Sequence, residues 1–359
     1  MIPDWKIRRE LARLGQQLRA VPEAFWEPVA QRLHDRRVAA GLPETCGEQA
    51  LQTKVALVLV YQPTGLAESL LRLCRHLGDN GYAILAVSNA ALTSADRDRL
   101  AALVWRIIER PNFGYDFGGY RDGLHYLTRS GVRPQRLVVV NDSIWFPLFE
   151  GDTTLARMEG SGLDITGTIL RERGTERFLE SYLYSIGPQA LAHPAFAEFW
   201  QQYRLTSNKY KVIRRGERGF GRAMLAAGLT VGGLYAPADF LLGIGQADDA
   251  TLRQVLAYTA SADPDLVRDA AALARQSDVE WTGRARSFIR DALGRGQFYS
   301  TFPVGAMRFM AYPVMKKSQE PVSVRWRSAY LAAVENAILP TPPQPLLDEI
   351  RAATRGETA

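Results

Sequence analysis

The 359-residue sequence predicts an α/β protein: an open, mostly parallel sheet with helices on both faces, and helical additions at the N- and C-termini. Two observations support this fold class. Short apolar runs alternate along the chain with segments whose apolar residues recur at helical spacing. Continuous apolar runs are typical of strands buried on both faces, and their short separation favours parallel βαβ units.

The regular part of this alternation lies between residues 55 and 140. The predicted strands there are Val55–Val60, Tyr82–Val87, Trp105–Ile108 and Leu137–Val140. Helices are predicted between them, the last from Tyr120 to Arg129. Beyond Pro147 we expect strands at 164–170 and 178–186, and a basic segment at 208–226 that is helical in its second half.

The two ends of the chain are predicted to be mainly helical. Apolar and basic residues alternate at helical spacing over residues 5–38, and a loop-like stretch at 41–52 follows. We therefore divide the chain into a helical arm (1–48), a central ligand-binding domain (49–247) and a helical extension (248–359).

The formal net charge of +6 favours anionic partners, such as a nucleoside diphosphate, a lipid-linked phosphate or a membrane surface. Nucleic acid has the same charge, so net charge alone does not choose among them. Two cysteines and four scattered histidines match no zinc or disulfide pattern. The N-terminus does not read as a secretory signal, and no apolar run reaches the ~18 residues of a membrane span, so we expect a cytoplasmic protein.

Polar and aromatic residues follow the predicted strands, where open parallel sheets bind their ligands. The residues expected to bind the ligand at these ends include Tyr61, Ser88, Asn112 and Asn141. The first strand is not followed by a glycine-rich dinucleotide or Walker loop, which disfavours ordinary dehydrogenases and P-loop enzymes. A bound diphosphate would then need a metal ion or basic side chains.

Asn141-Asp142-Ser143 directly follows an apolar strand and could supply a metal site. Carboxylate and hydroxyl oxygens suit Mg²⁺ or Mn²⁺, with Asp142 and Ser143 as ligands. The alternative is an Asx-type turn that only ends the strand.

The segment from Asn112 to Tyr120 combines three glycines with several aromatic rings around one aspartate. The residues expected to bind the ligand here are Asn112, Gly114, Tyr115, Asp116, Gly118 and Gly119. Glycines permit close backbone approach, aromatic rings stack on bases and sugars, and Asp116 can accept hydrogen bonds from hydroxyl groups. The alternative is a tight loop leading into a helix that Asp116 caps. We favour the ligand-binding interpretation.

These two segments together resemble the rhamnan synthesis protein F family. The similar blocks are Arg110-Pro111-Asn112 with Gly114 to Tyr120 and Gly123, Val140 to Ser143 with Pro147, Glu180-Ser181-Tyr182, Phe199-Trp200, and Lys211-Val212-Ile213 with Glu217. The resemblance spans roughly residues 53–230. It implies a GT-A-like glycosyltransferase of polysaccharide or lipopolysaccharide synthesis that transfers a sugar, with rhamnose as the named one, from a nucleotide-sugar donor.

The resemblance also places Asn141-Asp142-Ser143 where GT-A enzymes usually keep an Asp-x-Asp metal motif. The chain departs from the family pattern because it has no strict Asp-x-Asp, and because Glu180 and Leu183 replace other residue types. The acceptor is expected to be a glycan or a lipid-linked glycan, and no nucleic acid is expected.

Glycosyl transfer develops negative charge on the departing diphosphate, which a metal ion at Asp142 or nearby arginines would stabilise. An inverting enzyme also needs a carboxylate base, for which the candidates are Asp116, Glu217 and Glu180. Arginines flank Glu217 and are expected to keep it ionised. For Glu180 and Glu217 a structural salt bridge is the alternative role.

Two other functions stay open: a different nucleotide-dependent α/β transferase, and a non-catalytic partner of a polysaccharide synthase. Lipid-linked acceptors also suggest attachment to the inner face of the membrane. Two surfaces with interleaved apolar and basic residues are expected to mediate it, one at Trp5–Leu14 and one at Met307–Arg327.

Overall fold

The computed structural model describes residues 25–174 and 176–356. Its strands are β1 (Glu44–Cys46), β2 (Lys54–Val60), β3 (Tyr82–Ser88), β4 (Arg106–Glu109), β5 (Arg136–Asn141), β6 (Ile144–Trp145), β7 (Ile165–Gly167), β8 (Leu170–Arg173), β9 (Glu176–Leu179), β10 (Leu183–Ile186), β11 (Val231–Gly233) and β12 (Met315–Lys316).

Residues 25–40 form the first described helix, α1. The other helices are α2 (Glu68–Asp79), α3 (Ser94–Ala101), α4 (Tyr115–Arg129), α5 (Thr154–Glu159), α6 (Pro188–Ala192), α7 (Pro194–Gln202), α8 (Lys209–Val212), α9 (Arg218–Ala226), α10 (Pro237–Gln246), α11 (Asp249–Ala257), α12 (Pro264–Ala274), α13 (Trp281–Ala292), α14 (Phe298–Thr301), α15 (Pro303–Met310), α16 (Pro321–Glu335) and α17 (Gln344–Arg355). A π-helical turn, Ile213–Glu217, joins α8 to α9.

The main sheet has eight strands in the order β1-β4-β3-β2-β5-β10-β7-β11. Strands β4, β3, β2 and β5 pair in parallel, β1 and β10 pair antiparallel with their neighbours, and β11 is again parallel to β7. The structure therefore confirms the predicted fold class, an open and mostly parallel sheet with helical additions.

Both faces of the sheet are covered, as the continuous apolar runs predict. Alternate residues of β2 belong to different cores: Val58 faces one cluster and Leu57 the other, and both are fully buried. One cluster includes α2 and the C-terminal helices, whereas the other includes α4, α7 and α9. The central strands are thus held between two helical layers.

Two local expectations about the backbone are wrong. The stretch 41–52, expected to be a loop, contains β1, which pairs antiparallel with β4. Helix α4 begins at Tyr115, not at Tyr120, so the second half of the glycine-rich segment is helical. Gly114 acts as the N-cap with a φ of +86°, which favours glycine.

The C-terminal helices share a core with the sheet domain, and strand β12 pairs antiparallel with β6. The predicted membrane surface at Met307–Arg327 is therefore wrong. Met310, Tyr312 and Trp326 are buried because they pack within this shared core, and Arg327 is buried where its guanidinium donates to the Lys316 and Ser318 carbonyls. The other predicted surface, Trp5–Leu14, lies outside the described residues. In the part of the chain that the structure describes, no helix combines the length and apolar character needed to cross a bilayer.

Candidate functional site

The carboxyl ends of β2 and β5 meet at the centre of the sheet. The chain runs from β2 outward through β3 to β4 and then returns to β5 on the other side of β2, so the strand order reverses between β2 and β5. Ligands of open α/β sheets bind at such a reversal. Asp142 lies there, and its Oδ2 accepts a hydrogen bond of 2.8 Å from the backbone amide of Tyr61.

Asp116 enters the same crevice from the first turn of α4. The Asn141 side-chain amide donates to Asp116 Oδ2 at 3.0 Å, and Asn141 Oδ1 in turn accepts a hydrogen bond from the backbone amide of Ser143 at 3.2 Å. The Asn141 side chain therefore joins the end of β5 to the start of α4. This contact holds the Asp116 and Asp142 segments at fixed positions relative to each other.

Glu217 reaches this region from the π-helical turn between α8 and α9. Its Oε1 accepts a hydrogen bond of 2.6 Å from the Ser181 hydroxyl, and Tyr120 OH donates to the Ser181 carbonyl at 2.9 Å. Single π-helical turns are frequent at functional sites because they redirect one side chain within an otherwise regular helix. Gly216 allows this turn to pack on the ring of Phe117, since a Cβ there would lie 2.6 Å from Phe117 Cγ.

The negative charges of Asp142 and Glu217 act unfavourably on Asp116. Burial, followed by the negative charges of Asp142 and Glu217, raises the pKa of Asp116 from 3.8 to about 6. Burial raises the pKa of Asp142, although the Tyr61 amide and the Lys317 charge oppose this. Burial raises the pKa of Glu217, with a further increase from Glu180. The crevice therefore contains three carboxylates whose protonated forms are favoured by burial.

Two lysines from the C-terminal extension approach the carboxylates. Because β12 pairs with β6, the Lys317 amide donates to the Ser143 carbonyl at 2.8 Å, and Lys317 Nζ donates to Ser69 Oγ at 2.9 Å. Burial lowers the pKa of Lys317, and the negative charge of Asp142 opposes this decrease. Lys316 Nζ lies 2.8 Å from Glu180 Oε2. From the sequence these lysines are predicted to belong to a membrane surface, and their adjacency to each other is the one local signal of a site.

Glu180 forms ion pairs, whereas Asp116, Asp142 and Glu217 form none with the described residues. It is buried, its Oε1 accepts a hydrogen bond of 2.8 Å from Tyr299 OH, and it lies near Arg171 as well as Lys316. A carboxylate engaged in this way is poorly suited to receive a proton from a substrate. Its contacts support the alternative role predicted for Glu180, a structural salt bridge.

The arginines that flank Glu217 in sequence do not face it, so the expectation that they keep it ionised is wrong. Arg215 pairs with Glu27 at 3.2 Å, Arg218 pairs with Glu176 at 3.1 Å, and Arg214 is exposed. A helical turn sends neighbouring side chains in different directions, which sequence adjacency does not reveal.

Several residues expected to bind the ligand are internal. Ser88 is fully buried and its hydroxyl donates to the Ala90 carbonyl. A Cβ on Gly118 would lie 2.2 Å from the Phe113 carbonyl oxygen, and a Cβ on Gly119 would lie 2.0 Å from Leu59 Cδ1. Because these glycines have no side chain, α4 can pack on its own N-terminal loop and on β2. The expectation that a ligand approaches the two glycines closely is therefore replaced: protein atoms occupy that space.

Other residues of the same set do face solvent at the crevice. Tyr61 and Tyr115 are both exposed large aromatics, and Asn112 is exposed as well. Tyr115 also has a φ of +52°, a conformation that non-glycine residues rarely adopt. Backbone strain of this kind is concentrated at functional sites, which favours a ligand role for the Tyr115 ring.

The oxygen ligands fit a divalent cation of the Mg²⁺ or Mn²⁺ type. Such ions are commonly held by one or two carboxylates together with phosphate oxygens of the substrate. Asp142 and Asp116 supply two carboxylates whose mutual repulsion a cation would relieve, and the exposed Ser143 is adjacent to them. Within residues 25–174 and 176–356 no group of three or more His, Cys, Asp or Glu side chains could hold a metal ion, so a closed all-protein site is not formed there.

Comparisons with known proteins give three similarities. The family model described as "Rhamnan synthesis protein F" matches residues 84–239. The uncharacterized protein y4gN of Sinorhizobium fredii is 35% identical over 266 residues, which cover 73% of this chain and 69% of that protein. A solved structure, the mannosyltransferase PcManGT from Pyrobaculum calidifontis in complex with GDP-Man and Mn²⁺, aligns over 96% of this chain and 98% of its own, with 11% identity and a TM-score of 0.31.

Proposed function

The chain belongs to the rhamnan synthesis protein F family, and from this premise we propose that it is a glycosyltransferase. In this proposal it moves a hexosyl group, with rhamnose as the first candidate, from a nucleoside-diphosphate donor to a growing surface polysaccharide or lipopolysaccharide. The observation that supports it best is the meeting of Asp116, Asp142 and Glu217 at the reversal of strand order.

The donor is proposed to lie across the carboxyl ends of β2 and β5. The exposed rings of Tyr61 and Tyr115 provide stacking surfaces for the base or the sugar. Asp142, with Asp116 and Ser143, would hold Mg²⁺ or Mn²⁺. When bound, the ion would neutralise negative charge on the diphosphate. Lys317 is a cationic side chain close enough to Asp142 for their charges to interact.

Glu217 is proposed as the general base. The acceptor hydroxyl attacks the anomeric carbon, its proton passes to Glu217, and the bond from the anomeric carbon to the phosphate oxygen breaks with its electrons leaving on the diphosphate. A pKa raised by burial brings Glu217 closer to neutral pH, which suits a group that must accept and release a proton. Asp116 is less suited as the base, because the proposal already assigns its carboxylate, beside Asp142, to the metal ion.

Attachment to the inner face of the cytoplasmic membrane is also proposed, because a lipid-linked acceptor has to be reached there. Helix α1 supports this role. It exposes a stripe of large apolar side chains, at 78% for Phe25, 71% for Trp26, 43% for Val29 and 60% for Leu33. Arg32, Arg36 and Arg37 are exposed on the same helix, which combines apolar and basic groups as interfacial helices do.

The donor-binding proposal is tested by calorimetry with a panel of nucleoside diphosphates and their sugar conjugates, with and without Mn²⁺. We expect at least one member to bind in a metal-dependent manner. Asp142→Ala should abolish that binding, because it removes a carboxylate proposed to hold the ion.

The matched control is Asp269→Ala, which removes an exposed carboxylate from α12. It should bind the donor as the wild type does. Binding that persists in Asp142→Ala, or a panel in which no nucleotide binds, would contradict the proposed donor site.

A further inference from the structure

A second groove lies on the outer side of α7 and α9, with a cavity volume of about 670 Å³. This volume is within the usual range of small-molecule sites. Its wall contains five arginines and two glutamates: Arg204, Arg214, Arg215, Arg218, Arg222, Glu176 and Glu198. The groove wall therefore carries more positive than negative charge.

The arginines differ in how they are paired. Arg215 and Arg218 are neutralised by Glu27 and Glu176, at 3.2 Å and 3.1 Å. Arg204, Arg214 and Arg222 are exposed and form no ion pair with any of the described residues. Glu198 is the other carboxylate of the wall and is exposed, so an excess of positive charge remains that a bound anion would balance.

The floor of the groove contains a polar group without a partner. Tyr203 is only 4% exposed, and its hydroxyl makes no hydrogen bond to any described residue. A buried hydroxyl left unpaired costs free energy, so it is usually paired by the protein, by water or by a ligand. The ring of Phe199 packs beside Tyr203, with 5.8 Å between ring centroids, and adds an apolar surface.

Tyr203 also connects the groove to the carboxylate site. Its ring contacts Phe117, the neighbour of Asp116, at a centroid distance of 5.6 Å. Glu217 and Arg215 project from the same helical turn, Glu217 to Ser181 and Arg215 to the groove. The groove and the Glu217 site are therefore neighbours on the two sides of one helical turn, with the buried rings of Phe117 and Tyr203 between them.

We propose that this groove binds an anionic segment of the acceptor glycan, whose carboxylate or phosphate groups pair with Arg204, Arg214 and Arg222. Guanidinium groups recognise both kinds of anion through paired hydrogen bonds, and the half-buried Phe199 ring offers a surface for a sugar face. The proposal rests on the proposed glycosyltransferase function for the identity of the ligand as an acceptor.

The test measures binding by calorimetry with the full chain and without donor. The probes are a trigalacturonate, inorganic pyrophosphate and the neutral sugar maltotriose. Trigalacturonate or pyrophosphate should bind, more weakly at high salt, while maltotriose binds much less. Binding of trigalacturonate without binding of pyrophosphate identifies an acidic sugar as the ligand. Pyrophosphate that binds as tightly as trigalacturonate identifies a phosphate group.

The triple variant Arg204→Ser, Arg214→Ser, Arg222→Ser should weaken anion binding by about tenfold or more, since each lost charged contact is significant. A control triple variant, Arg133→Ser, Arg275→Ser, Arg290→Ser, changes the net charge equally at exposed positions elsewhere and should bind as the wild type does. Equal loss in both triple variants, or no binding of either anion to the wild type, would overturn the proposal.

Tyr203→Phe removes the unpaired hydroxyl while keeping the ring, and should weaken binding of the anionic probe. Tyr330→Phe is its control, because the Tyr330 hydroxyl is also buried and without a partner among the described residues but lies on α16, outside the groove. None of these measurements requires glycosyl transfer or a donor. The binding results can therefore be interpreted even if the protein shows no glycosyltransferase activity.

Discussion

Asp116 lies within the electrostatic field of two other carboxylates, and this placement has a measurable effect on stability. Its pKa is raised from 3.8 to about 6, first by burial and then by Asp142 and Glu217. The folded protein therefore holds a proton at Asp116 more tightly than the unfolded chain does. The stabilising contribution is complete below about pH 4 and is lost as the pH rises through about 6.

We predict that Asp116→Asn raises the melting temperature of chelator-treated protein at pH 8 but hardly changes it at pH 4. The substitution removes the negative charge at position 116 and keeps an oxygen that can accept the hydrogen bond from the Asn141 side-chain amide. Thermal unfolding of both proteins from pH 4 to pH 8 measures the difference. A difference that does not grow with pH would show that Asp116 is not buried among like charges.

Glu217 is the residue whose substitution should affect chemistry rather than donor binding. Glu217→Gln is expected to lower kcat by about 10²- to 10⁴-fold, the usual contribution of a general base. Its affinity for the donor should stay near that of the wild type. Single-turnover rates and donor titrations measure the two quantities separately, and a Glu217→Gln variant with normal kcat would exclude Glu217 as the base.

Ser181→Ala provides a matched test of the same assignment. The Ser181 hydroxyl donates to Glu217 and lowers its pKa, opposing the effect of burial. Without that hydrogen bond the pKa of Glu217 should rise further, so the acidic limb of the pH–rate profile should move to higher pH. A profile that does not move would argue against Glu217 as the titrating base.

At the scale of elements, helix α4 can approach β2 closely because small residues face the sheet. A Cβ on Gly123 would lie 2.6 Å from Leu57 Cδ1, and one on Gly119 would lie 2.0 Å from Leu59 Cδ1. These glycines place the first turn of α4, and with it Asp116, beside the end of β5. The site geometry therefore depends on the packing between a helix and a strand.

Gly119→Ala is predicted to destabilise the protein by about 1–3 kcal/mol, the usual cost of overpacking a core. Gly78→Ala is the control, because a Cβ there meets nothing within 4 Å and Gly78 lies in helix α2. It should be neutral, or stabilising by about 0.5–1 kcal/mol. Urea unfolding of both variants gives the comparison, and equal effects would refute the packing argument.

At the scale of the whole molecule, α1 presents the largest group of exposed apolar side chains on one described helix. The double variant Phe25→Ser, Trp26→Ser should reduce co-sedimentation with vesicles that contain anionic phosphatidylglycerol. These side chains would insert into the interface, while each arginine near an anionic surface contributes about 1 kcal/mol. High salt should weaken wild-type binding as well.

The control variant Leu242→Ser, Val279→Ser removes two exposed apolar side chains, 63% and 102% exposed, that lie away from α1. It should co-sediment as the wild type does. If the wild type fails to bind anionic vesicles at low salt, membrane attachment through α1 is excluded.

The amino-acid sequence by itself determined the central sheet. Continuous apolar runs such as Val55–Val60 can be buried only between two helical layers, and the alternation of strands and helices implied parallel pairing. It also located Asp142 at a strand end and Asp116 beside a glycine-rich turn, because residue type and local spacing suffice for such statements. The resemblance to the rhamnan synthesis family depended on these same short blocks.

Only the tertiary structure decided which side chains face one another. It turned the arginines beside Glu217 away from it, buried Ser88, and placed Gly119 against Leu59 instead of a ligand. It also brought Lys317 to Asp142 across 175 positions of sequence (317 − 142) through the pairing of β12 with β6. Such contacts depend on strand pairing and helix rotation over long separations in sequence, and the local periodicity of a chain contains no information about either.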